Sequence, residues 1–371
     1  MSDRLRVGVI GCGTVSKPYL ANLSASPHVE VVACADQILE AAQLRAAEFG
    51  VPTATTTEEL LEDPGVNLVV NLTVPNAHAE INLAALAAGK HVYSEKPLAT
   101  TRELGRRVLD VAAANALCVG GAPDTFLGAG IQTCLGLVDR GEVGEPLAAS
   151  AFMLQSGPES WHPNPGFFYE PGGGPLLDVG PYYVTTLVCL LGPVRRVTGM
   201  ARVLYPERTA KRGPRAGETF QVTTDTFVAA LIEFASGVQA TLVTSFGISG
   251  HDLPNMQLYC TEAIVGVPDP NTFGGPVRVR SGDENSTWRE VGLQYGHTNG
   301  AKNFRGLGVI EMAQALATGE PPRASGELAY HVLDVLLSIL ESSASGHHVT
   351  VSSTCSRPRL LSHDADLIAM T

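Results

Sequence analysis

The chain has 371 residues, 44% of them apolar and 17% charged, with a net charge of −12. This composition excludes a disordered chain and, at roughly 150 residues per domain, predicts two domains that each bury a core. The acidic balance repels phosphate backbones and anionic lipid surfaces, and no basic run is longer than Lys211-Arg212, so neither nucleic acid nor a membrane is expected as a partner.

Residues 6–11 form a β-rich run that breaks into Gly11-Cys12-Gly13-Thr14-Val15-Ser16 ahead of a helix over 17–25. A second strand at 30–35 ends on Asp36 and passes into a helix over 39–49. A helical patch at 58–61, a buried strand at 67–73, a helix at 79–88 and a strand at 90–94 follow. Strands alternating with helices predict a parallel sheet. The dinucleotide fingerprint G-x-G-x-x-G is met at Gly11 and Gly13, with Ser16 in the third place, and Asp36 stands 25 residues after Gly11. Glycines there let the backbone approach a pyrophosphate at a helix N-terminus, and the acid takes the ribose hydroxyls while repelling a 2′-phosphate. No arginine follows Asp36, so the expected cofactor is NAD(H), with Thr14 and Val15 on the same turn. The competing reading is a bare strand-to-helix turn with Asp36 as a cap.

The stretch around 73–101 places Thr73, Pro75 and Asn76 at the end of a strand, where ligands meet open α/β sheets. His78 opens the next helix and serves equally as a cofactor contact or as a first-turn residue. Glu95 and Lys96 follow the strand at 91–94, and Pro97 biases Lys96 away from helix, toward the same crevice. Beyond a strand at 118–121, Asp124 follows directly and is within reach of a cleft. The loop WHPNPGFFYEP at 161–171 offers Trp161, His162, Asn164 and Tyr169 as a sugar-binding wall, although Trp161 and Phe167 serve equally as packing. GGGPLLDVGPYY at 172–183 then brings Asp178 and Tyr182 at i and i+4, one helix face if a helix begins near 178. Asp178 as an N-cap with Tyr182 in the core is the alternative.

Further strands are expected at 147–154, 195–203, 226–234, 238–246, 256–260, 277–280 and 288–291, closed by helices at 304–317, whose Arg305 is within reach of the cleft as a substrate contact, and 326–345. Residues 205–219 read as a basic, mobile surface excursion. No C-x-x-C, H-E-x-x-H or carboxylate cluster predicts a metal. The seven scattered cysteines, a start without a secretory core and the lack of an ~18-residue apolar window predict a reduced, cytoplasmic protein.

Taken together, GCGTVS with Asp36, the triplet Glu95-Lys96-Pro97, DRGEVGEP at 139–146 and GGGPLLDVGPYY followed by an apolar helix resemble the Gfo/Idh/MocA family of NAD(P)-dependent sugar and polyol oxidoreductases over about residues 4–350. The resemblance implies an α/β fold: a Rossmann doubly wound parallel sheet at 1–123, an α/β domain with a large, mostly antiparallel sheet at 124–351, and a tail at 352–371. It gives Lys96 a catalytic or substrate-polarising role. It also places an Asp and, four residues later, a His in the second domain; here these are Asp178 and Tyr182, so the second departs.

Removing hydride from a carbinol carbon requires a base, and the reverse reduction an acid. Histidine suits this with a pKa of ~6.5, whereas tyrosine at ~10 needs a stabilised phenolate. Either Lys96 stabilises that phenolate, or Lys96 itself exchanges the proton, its pKa lowered by burial, while Asp178 orients the substrate hydroxyl and Tyr182 donates a hydrogen bond. The second is the favoured arrangement. The expected activity is NAD(H)-dependent interconversion of a carbinol and a carbonyl on a sugar, polyol or related cyclic substrate. A catalytically silent NAD-binding regulator and an NAD-dependent glycosidase are the alternatives. An exposed face of the second sheet favours a homodimer or homotetramer.

Overall fold

The structure is a computed structural model that describes residues 4–283, 285–294 and 303–362. In the N-terminal half strands and helices alternate: β1 (Leu5–Ile10), α1 (Ser16–Ala25), β2 (Val29–Ala35), α2 (Leu39–Phe49), β3 (Thr53–Thr55), α3 (Thr57–Glu62), β4 (Leu68–Asn71), α4 (Pro75–Ala87), β5 (His91–Ser94), α5 (Arg102–Ala114) and β6 (Val119–Gly121). The six strands form one sheet in the order β3-β2-β1-β4-β5-β6, every pair parallel. All four residues of β4 are buried, as a central strand covered on both faces requires. Strand order reverses between β1 and β4, which opens a crevice outside their C-terminal ends. Gly11, Thr73 and, one strand further on, Lys96 all lie at that edge.

The C-terminal half supplies α6 (Ala129–Asp139), β7 (Pro146–Leu154), α7 (Gly174–Asp178), α8 (Gly180–Leu191), β8 (Val194–Arg202), β9 (Glu207–Thr209), β10 (Thr219–Gln221) and β11 (Phe227–Phe234). It continues with β12 (Gln239–Ser245), β13 (Met256–Cys260), β14 (Ala263–Val267), β15 (Val277–Ser281), β16 (Arg289–Val291), α9 (Leu307–Thr318), α10 (Gly326–Ser345) and β17 (Val349–Thr350). Nine of these strands make a second sheet ordered β16-β15-β14-β13-β7-β12-β11-β8-β17, antiparallel except for the β7–β12 pair. Alternating burial along β7 and β11 marks one face packed and one open. On the packed side α10 lies along β8 and also against α5 of the first sheet, where Arg102 joins Asp334 at 2.5 Å.

Sequence and structure part in a few places. The excursion at 205–219 carries a β9–β10 hairpin that was not expected, nor were β3, β14 and β17. The helix expected from 304 starts at Leu307, because Gly306 sits at φ +102 and the main-chain N–H groups of Gly306 and Gly308 are held by the Asp124 carboxylate. The last nine residues of the expected tail, 363–371, lie outside the described residues. Among the described residues no helix is long and apolar enough to cross a membrane, and all seven cysteines are free thiols.

Candidate active site

The glycine turn is shaped by contacts that only glycine tolerates. At Gly11 φ is +100°, and a Cβ would stand 2.6 Å from the main-chain carbon and oxygen of Leu72. At Gly13 a Cβ would meet nothing within 4 Å, so the backbone there is open to approach at the N-terminus of α1, with Thr14 exposed beside it. Ser16 takes the place of the third glycine and stays fully buried. Its Oγ donates to the Gly13 carbonyl at 2.7 Å and accepts from Arg45 Nε at 3.2 Å, so the hydroxyl is satisfied without displacing the helix. The half-buried Asp36 is oriented by two main-chain donors, Cys12 N at 2.7 Å to Oδ2 and Ile38 N at 2.9 Å to Oδ1. A carboxylate accepts about four hydrogen bonds, so acceptor capacity remains for a ribose at the end of β2. These features fit a dinucleotide.

The cleft floor comes from the ends of β4 and β5. Thr73 is fixed by Asn71, whose amide also bonds His78 O and Asn82 Oδ1. Val74, Pro75 and Asn76 then lead into α4, with Val74 67% exposed. His78 turns away from this surface. It is 1% exposed, its Nδ1 lies 2.7 Å from Pro97 O and its Nε2 3.0 Å from Thr73 O, and burial lowers its pKa. It braces two cleft loops rather than reaching into the cleft. Glu95 likewise points inward, accepting from Tyr19 Oη at 3.0 Å and from Lys96 N at 2.9 Å.

Lys96 Nζ donates to the Asp178 carbonyl at 2.7 Å and to Asp178 Oδ1 at 2.8 Å, and lies 5.5 Å from the centre of the Tyr182 ring. Burial pulls the ammonium toward deprotonation, but Asp178, Tyr182 and Glu95 outweigh it, and the Lys96 pKa stands above the ordinary lysine value. The lowering expected from burial alone is therefore reversed. Asp178 closes α7 and Tyr182 sits in the first turn of α8. Pro181 has no N–H to offer the Leu177 carbonyl, so the helix breaks at Val179 and restarts. The expected single helix face is thus split between a one-turn helix and a longer one, and their junction still brings both residues to Lys96.

Tyr182 Oη accepts from Arg305 Nη2 at 3.1 Å, and the same nitrogen donates to Asn271 Oδ1 at 2.9 Å. Each was expected separately as a substrate contact; they are found bonded to one another. Asp124 does not face the cleft expected of it. It is 1% exposed, its Oδ2 caps α9 through Gly306 N at 2.9 Å and Gly308 N at 3.0 Å, and burial pushes its pKa up to about 6.

A cavity of ≈ 340 Å³ opens between the two halves of the chain. From the first come Val74, Pro75, Asn76, Lys96 and Pro97; from the second, Phe167, Phe168, Glu170, Pro171, Gly172, Gly173, Leu177 and Asp178. The loop before it is only partly the expected wall. Tyr169 is buried, with its hydroxyl on Glu159, which in turn is paired with Arg208 of the β9–β10 hairpin. Trp161 and His162 stack edge-on against Phe168 without lining the cavity, and the Asn164 side chain accepts from Arg215. Val74, Phe168, Glu170 and Leu177 escaped notice in the sequence; their one signal was position, next to motifs already marked.

Residues 5–121 match the family described as "Oxidoreductase family, NAD-binding Rossmann fold", and residues 131–265 match the GFO/IDH/MocA C-terminal domain. The chain belongs to the Gfo/Idh/MocA oxidoreductases and carries their NAD-binding fold. The 1,5-anhydro-D-fructose reductase of Ensifer adhaerens is 33% identical over 187 residues, which is 49% of this chain and 55% of that protein. A dTDP-3,4-didehydro-2,6-dideoxy-alpha-D-glucose 3-reductase of Actinomadura kijaniata is 28% identical over 331 residues, 88% of this chain and 92% of that one. The first of these matches thus spans about half of its relative. Among solved structures, the NAD binding oxidoreductase of Klebsiella pneumoniae shares the fold with a TM-score of 0.84 at 24% identity, over 95% of this chain and all of that one.

Proposed function

We propose that the chain is an NAD(H)-dependent oxidoreductase that interconverts a carbonyl and a carbinol on a sugar, polyol or related cyclic compound. The observation that carries this is the Lys96 ammonium, held by Asp178 on the wall of a cavity that both halves of the chain line. Gly11, Gly13, Thr14, Val15 and Asp36 hold the dinucleotide, and Thr73, Pro75, Asn76 and the Glu95-Lys96 main chain border its reactive end. When bound, the nicotinamide supplies or accepts the hydride.

Lys96 has three N–H donors and Asp178 takes two of them, so one remains for a substrate oxygen. A pKa above the ordinary lysine value keeps that donor charged. Lys96 therefore acts best as the acid of carbonyl reduction, stabilising and then protonating a developing alkoxide. Asp178 orients the ammonium and the substrate hydroxyl. A guanidinium only donates, so Tyr182, accepting from Arg305, is free to aim its own O–H at the substrate oxygen as a second donor. Both relatives described above are sugar reductases by name, which supports the sugar substrate and this direction. We place the protein in the cytoplasm as a homodimer or homotetramer joined through the open sheet face.

The test follows absorbance at 340 nm across free and nucleotide-linked sugars, ketosugars and polyols, with NAD(H) and NADP(H) in parallel. NADH-linked turnover is expected; faster turnover with NADPH would remove the role given to Asp36, and silence across the panel would leave the nucleotide-binding regulator in its place.

A further inference from the structure

We infer that the substrate is an uncharged, free sugar or cyclitol rather than a phosphorylated or nucleotide-linked one, and that Glu170 enforces the choice. The inference rests on the sugar-oxidoreductase reading above and narrows it. Three charged side chains line the cavity: Lys96, Asp178 and Glu170. The lone cation is already bound to Asp178. Glu170 is exposed, and among the described residues its carboxylate takes part in no ion pair or side-chain hydrogen bond. A phosphate entering this space meets the uncompensated Glu170 carboxylate, while the one cation among the described lining residues, Lys96, has its charge offset by Asp178, an arrangement that selects against an anion.

The remaining surface favours a neutral ring. Val74 and Phe167 are 67% and 47% exposed, and with Leu177, Pro97 and Pro171 they offer apolar faces to the C–H side of a sugar, while the Lys96–Asp178 pair serves its hydroxyls. At ≈ 340 Å³ the cavity lies at the small end of the ~300–1,000 Å³ range of small-molecule sites. Arg305 is engaged by Tyr182, Asn271 and Asn303 and does not line the cavity, and further basic groups occur on the β9–β10 hairpin. There Arg208 is buried against Glu159, Arg215 is paired with Glu218, and neither these nor Lys211 and Arg212 line the cavity.

Calorimetric titration of the NADH-saturated full chain tests this, using free hexoses, ketohexoses and cyclitols, the hexose 6-phosphates, and dTDP-glucose. We expect at least one free sugar to bind, and its phosphate ester to bind at least ~10-fold more weakly, the effect of about 1.4 kcal/mol of charge repulsion. In Glu170→Gln the ratio of ester to parent affinity closes by about tenfold, and in Glu170→Lys it closes further, because the carboxylate is the source. An ester or dTDP-glucose that binds as tightly as the free sugars, a ratio unmoved by Glu170→Gln in a variant with wild-type Tm, or the failure of every free sugar to bind would each overturn the inference. Absorbance at 340 nm, with NADH for the carbonyl sugars and with NAD for the cyclitols, separates it from the broader reading: selective binding without turnover in either direction removes the oxidoreductase, whereas turnover of the esters removes only the charge rule.

Discussion

At Lys96 the unused N–H and the raised pKa together set how the rate of reduction should respond to pH. An amine whose pKa stands above the usual ~10.4 keeps its proton to higher pH than a free lysine, so the acid form is lost only above that range. Carbonyl reduction should stay level from pH 7 to 9 and fall above about 10.4, as read from kcat at saturating NADH. Lys96→Ala should cut kcat by about 10³-fold while the NADH dissociation constant, read by fluorescence, changes less than about threefold, since general-acid groups contribute 10²–10⁴. Tyr182 and Arg305 form the second residue-scale unit. If Arg305 acts by fixing Tyr182 as its acceptor, then Arg305→Gln and Tyr182→Phe remove one shared interaction and their effects do not add. Each single variant should lower kcat by roughly tenfold and the double variant by little more than the worse single. Additive losses would place Arg305 on the substrate directly, as the sequence first implied.

The elements show which parts of this site were legible in the chain and which were not. The βαβ turn was readable because its signal is local: a β-rich run, two glycines and an acid at the end of the next strand. Asp178 and Tyr182 were readable as a pair by their spacing, although Pro181 splits their helix in two. His78 and Asp124 misled because position at a strand end says nothing about which way a side chain turns; the structure spends both on main-chain partners. Strand β14 was missed because its hairpin turn, Thr261-Glu262, lacks the glycine or asparagine that usually marks one. Asp124 leaves a measurable trace at the start of α9. A carboxylate whose folded pKa is raised to about 6 from 3.8 binds a proton more tightly in the folded state. Its stabilising share is complete below pH 3.8 and lost as pH rises through 6, amounting to about 3 kcal/mol. Asparagine keeps an oxygen acceptor for Gly306 and Gly308 without this dependence. Asp124→Asn should therefore gain thermal stability relative to the wild type between pH 4 and pH 7, and a Tm difference that is flat across that range would remove Asp124 as the source.

Across the whole molecule the second sheet is asymmetric. On its inner face, register aligns Val197, Ile232, Ala240, Ala149 and Leu258 across five strands, and all are buried beneath the helices. One residue along, the outer face carries the row Thr198, Leu231, Thr241, Ser150 and Gln257, and beyond it Met200, Ala229, Val243 and Phe152. No charged side chain interrupts either row, while Leu231 is 60% and Met200 76% exposed. An uncharged outer face with exposed Leu231 and Met200 at its centre is suited to a second copy of itself, which by two-fold symmetry would cover about 800 Å² per protomer, the area of a standard interface. Because the sheet is the rigid support of α7, α8 and the cleft wall, such pairing would not block the cavity on the opposite side. Light scattering coupled to gel filtration should show the wild type at two or four times the monomer mass. The double variant Met200→Glu, Leu231→Arg should shift it toward the monomer, since each copy then brings a charge into the centre of the contact where desolvation is most costly. A wild type that elutes as a monomer, or a double variant that keeps its mass, would assign this face to something other than self-association.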